Sequence, residues 1–197
     1  MADTILALDA GPVPRPRSQM VATGFAVAGF AMMMAGALGW YMALRHASVS
    51  PGHDWIPDGV AVPNPQFDYA LLTLVVSVIT AHWAVYASRR GERGHTWLAI
   101  AVTIVMGLGF INMVIFSMNR MEIEIGSGQW QNLAFAITGL ALALVVIGLF
   151  YLGLMALRSL GGSMGRDGTA PLSAAVFFWD FVVIAWTATW YAIYVVK

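Results

Sequence analysis

The chain has 197 residues, 59% of them hydrophobic and only 10% charged, with a mean hydropathy of +0.74, which excludes an ordinary water-soluble domain. Ten basic and ten acidic side chains cancel, so no net field is available to attract nucleic acid or an acidic partner. Cysteine is absent, which excludes disulfides, thiolate metal sites and iron–sulfur clusters and leaves histidine as the one good transition-metal ligand.

Residues 1–18 carry Asp3, Asp9, Arg15 and Arg17 among prolines before any apolar run, unlike a cleavable signal peptide, and read as a short cytoplasmic tail. A single membrane domain is expected over 19–197, with apolar runs at about 20–44, 68–88, 97–118, 131–157 and 172–195, each near the ~20 residues that cross ~30 Å of hydrocarbon. Backbone groups in lipid must be satisfied within the segment, and the runs are apolar all round instead of alternating as barrel strands do. The expected fold is therefore all-α, a bundle of five transmembrane helices. Polar connectors rich in proline, glycine and charge separate the runs.

Basic residues fix the expected orientation. A cytoplasmic N-terminus places Arg15, Arg17, Arg89, Arg90, Arg93, Arg158 and Arg166 inside and leaves Arg45, Arg120 and Lys197 outside, with the C-terminus periplasmic. Asp54, Asp58, Asp68, Glu122 and Glu124 then lie on the outer side. Trp40, Trp55, Trp97, Trp130 and Trp190 sit near span ends, where an indole keeps its N–H wet and its ring in lipid.

A charge at membrane depth costs ~2.5–3.5 kcal/mol or more, so His82 and Asp180 each ask for a partner. Both fall about a third of the way in from the inner side. They are expected to face the bundle interior and to pair if their helices are neighbours, or else to bond separately to backbone, hydroxyl or a partner subunit. Thr80 and Asn112 complete the expected set of buried polar structural residues. A b-type haem anchor commonly needs two facing histidines, and His46, His53 and His95 lie in or beside loops, so no cofactor or metal is expected in this chain. No zinc-protease, phosphate-loop or nucleophile-elbow motif is present, nor the paired broken helices of a transporter, and no catalytic residue is expected. Gly24, Gly29, Gly36, Gly39, Gly107, Gly109, Gly139 and Gly148 read as close helix-packing positions.

Several stretches resemble one family. Ser77-Val78-Ile79-Thr80-Ala81-His82-Trp83-Ala84 and the turn Arg89-Arg90-Gly91-Glu92-Arg93 follow S-x-x-(S/T)-x-x-W-A-H-H-x-x-x-x-G-D-R without a gap. Trp55, Pro57, Gly59, Asn64 and Pro65 match a W-x-P-x-G-x-x-x-x-N-P loop. Thr103-Ile104, Gly107 and Phe110 match the third span, and Phe135, Thr138-Gly139, Val145 and Gly148 the fourth. Ala174-Ala175, Trp179, Phe181-Val182, Trp186 and Ile193-Tyr194 follow the fifth. In this order the chain is similar to cytochrome c oxidase subunit III in its shorter five-helix bacterial form. The family's buried polar set is largely replaced. Ala31 stands near its first-span carboxylate, Ala141 and Leu144 replace paired histidines, Val85 and Tyr86 replace tandem histidines, and Val114 and Ser117 replace a glutamine and an acid. W-H-F-V-D reads Trp179-Asp180-Phe181-Val182-Val183.

The resemblance implies a noncatalytic subunit in the bacterial cytoplasmic membrane. It would stabilise a catalytic subunit I that holds the haems and copper, lie near subunit II, and bind phospholipid. Membership of a larger respiratory supercomplex stays open, as do two other readings: an accessory subunit of a nitric oxide reductase or quinol oxidase, and an unrelated haem-bearing or transporting protein. Arg89, Arg90 and Arg93 are placed to hold anionic lipid headgroups and serve equally as topology charges. Gly91 is expected to close its turn, and Trp83 to pack within the bundle.

Overall fold

A computed structural model describes residues 18–49, 55–57, 60–122, 126–160 and 169–196. The tail 1–17 lies outside the described residues, as do Arg15, Arg17, His53, Asp54, Asp58, Gly59, Glu124, Arg166 and Lys197. All regular structure among the described residues is helical: α1 (Ser18–Ser48), α2 (Asn64–Arg89), α3 (Arg93–Arg120), α4 (Gln129–Leu160) and α5 (Thr169–Trp190), which runs on into a π turn (Tyr191–Val195). Each of the five is long and apolar enough to cross a membrane. The helices begin a few residues before the apolar runs and, the last excepted, end beyond them, because a helix continues into the headgroup region until a turn residue stops it. At the start of α2 that boundary is Pro65, whose missing N–H costs nothing in a first turn.

Between α2 and α3 the chain reverses through three residues, and Gly91 closes the turn at φ +75°. Its N–H donates to the Ser88 carbonyl (3.1 Å) and the next N–H, of Glu92, to the Ala87 carbonyl (3.0 Å). This is the double bond of a left-handed C-cap, where a side chain would be strained. A hairpin so tight sets α3 antiparallel beside α2.

The last helix sits at the centre. α5 packs on α1, α2 and α4, while α3 bridges α2 and α4. Of the most apolar stretch of α5, 67% of residues are buried, against 11% for α1, which touches the rest mainly through α5 and α4. Lipid tails are as apolar as leucine, so close packing and a few hydrogen bonds, with little hydrophobic drive, must hold such helices together. Trp179 illustrates the packing, with its fully buried indole lying against Gly107 of α3 and Gly148 of α4. A Cβ on Gly107 would meet that ring at 2.9 Å and Leu149 at 2.6 Å, and one on Gly148 would meet the ring at 2.9 Å. The remaining glycines of the expected packing set, Gly24, Gly29, Gly36, Gly39, Gly109 and Gly139, have open space where a Cβ would stand. They make no close packing contact within this chain.

At the far end of α5 the π turn lets one extra residue into the helix, with Val196 N–H reaching the Tyr191 carbonyl at 3.0 Å. Ile193 and Tyr194 are buried there. Tyr194 stacks on Phe67 (centroids 3.9 Å apart), and Trp186 meets Phe110 edge to face at 4.8 Å. Trp55 folds back over the end of α1, its indole N–H donating to the Tyr41 hydroxyl at 3.0 Å.

Candidate functional site

Several polar groups inside the bundle form short ties between helices. Trp179 Nε1–H donates to Ser77 Oγ at 2.9 Å, and that hydroxyl donates on to the Leu74 carbonyl at 2.6 Å, so both buried residues are satisfied. Thr80 Oγ1 lies 2.7 Å from Thr103 Oγ1, tying α2 to α3, and each hydroxyl also has a carbonyl of its own helix within reach, Ser77 for Thr80 at 2.9 Å and Ala99 for Thr103 at 2.8 Å. Thr138 Oγ1–H donates to the Tyr194 hydroxyl at 2.7 Å, and that hydroxyl donates on to Met118 Sδ at 3.3 Å. Every one of these ties joins two helices or backs onto the helix's own carbonyl, as a polar group in hydrocarbon must.

The two ionisable groups are brought together. His82 Nε2 lies 3.2 Å from Asp180 Oδ1 and 3.1 Å from Oδ2, bridging α2 and α5. With the carboxylate ionised, the imidazole N–H is shared between its two oxygens. Farther along the same two helices Trp190 Nε1–H donates to Asp68 Oδ1 at 3.0 Å. Three polar ties thus run down the antiparallel α2–α5 seam, with the buried Ser77–Trp179 bond between the other two.

The pair does not sit where the sequence reading puts it. The His82 side chain is 58% exposed and that of Asp180 30%, so the pair lies on the outer surface of the bundle, at the mouth of the seam. Asn112, also expected to be buried, faces outward from α3. Trp83, expected inside, is 39% exposed and tilts over His95 at a 6.1 Å centroid separation. All three corrections have one cause: in a helix that is apolar on every side, sequence spacing does not tell the packed face from the outer one.

Of the arginines, Arg89 and Arg90 end α2 at the surface and Arg90 lies 4.5 Å over the Tyr86 ring. Arg93, with Gly94, Trp97, Ser159 and Leu160, lines an open crevice of about 280 Å³ between the start of α3 and the end of α4. Trp186 and Phe67 fill the α2–α3–α5 core, and Asn64 and Pro65 start α2. Gly139 lines a shallow groove between α3 and α4 with Ile115, Phe135 and Thr138. Among the described residues no group of three or more His, Asp or Glu converges as metal ligands would. Tyr194 and Tyr41 are the polar contributors that sequence reasoning passed over. A tyrosine in an apolar run gives no signal of its hydroxyl's partner.

The model of the family described as cytochrome c oxidase subunit III matches residues 18–197, which takes in all five helices. Among curated relatives, the cytochrome c oxidase subunit 3 proteins of Salmo salar, Danio rerio and Cyprinus carpio are each 29% identical over 164 residues. That stretch is 80% of this chain and 62% of each relative, so the chain spans less than two thirds of their length.

Proposed function

Because the chain belongs to the cytochrome c oxidase subunit III family, we propose that it is the noncatalytic third subunit of a haem-copper terminal oxidase. It packs beside a catalytic subunit I that carries the haems and copper, with subunit II close by, and prolongs the working life of that centre. The membrane is the cytoplasmic membrane of a bacterium, the N-terminus is cytoplasmic, and phospholipid fills outer grooves such as the crevice beside Arg93. The single observation that carries this reading is a family match running through every helix of the bundle. Side chains support it as well: three polar contacts tie helices together, as befits a scaffold.

Purification from native membranes through a tag on this chain tests the reading. A larger membrane subunit carrying haem and copper, recovered in equal amount and reducing oxygen, is the expected result. Recovery of a nitric oxide-reducing partner, or of the chain with no larger membrane subunit at all, would overturn it.

A further inference from the structure

In lipid every face of an apolar helix is equally comfortable, so only polar groups reveal which face something else covers. His82 and Asp180 are such groups. His82 precedes Arg89 by about two helical turns, roughly 10 Å along the axis and hence below the headgroup level set by the basic end of the bundle. Both side chains still look outward. Their mutual bond uses His82 Nε2 and both oxygens of the carboxylate, and within the described residues no hydrogen bond to His82 Nδ1 is made.

The surroundings are apolar. Ile79 extends the exposed face of α2, and Phe177, Ile184 and Tyr191 continue the exposed stripe of α5 on either side of Asp180. Phe178, turned about 200° from Asp180 at 100° per residue, packs instead on Phe30 of α1. The α5 stripe therefore forms the floor of a trough, with α1 and α2 as walls that do not pack extensively on one another. A small polar spot in an apolar trough at membrane depth is what a helix–helix contact needs and what lipid tails penalise.

We propose that this trough is the docking surface for a transmembrane helix of the larger oxidase subunit, and that this helix presents a hydroxyl or amide donor to His82 Nδ1 or to a remaining lone pair of the Asp180 carboxylate. The proposal rests on the subunit reading above and goes further by naming the face and the chemistry of contact. The apolar stripe supplies close packing, and the polar spot fixes register, since a helix shifted by one turn would leave the pair facing hydrocarbon.

The test is photocrosslinking in the assembled complex in native membranes, with a benzophenone amino acid at Ile79, at Ile184, or at Phe150 on the outward face of α4. The expected result is adducts to the larger subunit from Ile79 and Ile184 and none from Phe150. Adducts from Phe150 in place of Ile79 and Ile184, or only lipid adducts from those two positions, would overturn the face assignment while the subunit reading stands. Failure of any larger subunit to co-purify would instead overturn the subunit reading. A doubly apolar variant, His82→Phe with Asp180→Leu, removes both polar groups at once and so leaves nothing unpaired within the bundle. It is expected to keep its helical circular dichroism while retaining at least tenfold less of the larger subunit. Undiminished retention would contradict the proposal.

Discussion

Trp179 shows how much a single residue asks of its neighbours. Its indole occupies the middle of the bundle only because Gly107 and Gly148 have no Cβ, and its N–H is satisfied only by Ser77. Gly148→Ala is therefore expected to destabilise the bundle by about 1–3 kcal/mol, the usual effect of overpacking a close contact. Gly36→Ala, at a site with open space, should be neutral or slightly stabilising. Reversible unfolding from mixed micelles by SDS measures both, and equal losses would show that the slot is not tight. Ser77→Ala leaves the buried indole N–H without an acceptor and should cost about 1–3 kcal/mol in the same assay, with Trp179→Phe in that background recovering part of the loss. Sequence resemblance had singled out Ser77, Trp179 and both glycines, each as a separate framework position. Their meeting at one point is a tertiary fact that no spacing along an apolar helix encodes.

At the level of elements, the turns and the seam carry the specificity. Gly91 adopts a backbone conformation that disfavours a side chain, so Gly91→Val is expected to cost about 1–2 kcal/mol and to loosen the α2–α3 hairpin. Hydrogen exchange at Arg90 to Glu92 would register that loosening, and unchanged protection would contradict it. This turn was readable in advance because glycine between charged residues marks a reversal whatever the solvent. The five helices were equally readable, since ~20 apolar residues in a row admit few alternatives. Their sidedness was not. In water an amphipathic helix declares its buried face, but α2 and α3 are apolar all round, so the sequence places His82, Asn112 and Trp83 in the interior and they lie outside it. The π turn that buries Tyr194 was invisible for a different reason: Tyr-Ala-Ile-Tyr-Val propagates an α-helix equally well, and the extra residue is accommodated by the Phe67 stack and the Thr138 bond.

For the whole molecule, charge asymmetry sets the expected placement in the membrane. Arg89, Arg90, Arg93 and Arg158 gather at one end of the described bundle, and Arg45 and Arg120 mark the other. The natural absence of cysteine makes a direct check simple. Arg90→Cys should react with a membrane-impermeant maleimide only after cells are opened, and Gln129→Cys should react in intact cells. The reverse pattern would invert the assigned topology.

Several inward polar groups tie helices together, and among the described residues no group of His, Asp or Glu converges as metal ligands would, so the proposed reading places the redox centre in a neighbouring subunit. A reduced-minus-oxidised difference spectrum tests that claim most directly, taken on the chain expressed alone and on the complex purified through it. The account predicts haem bands from the complex and a flat spectrum from the chain alone. Haem bands from the isolated chain would contradict it.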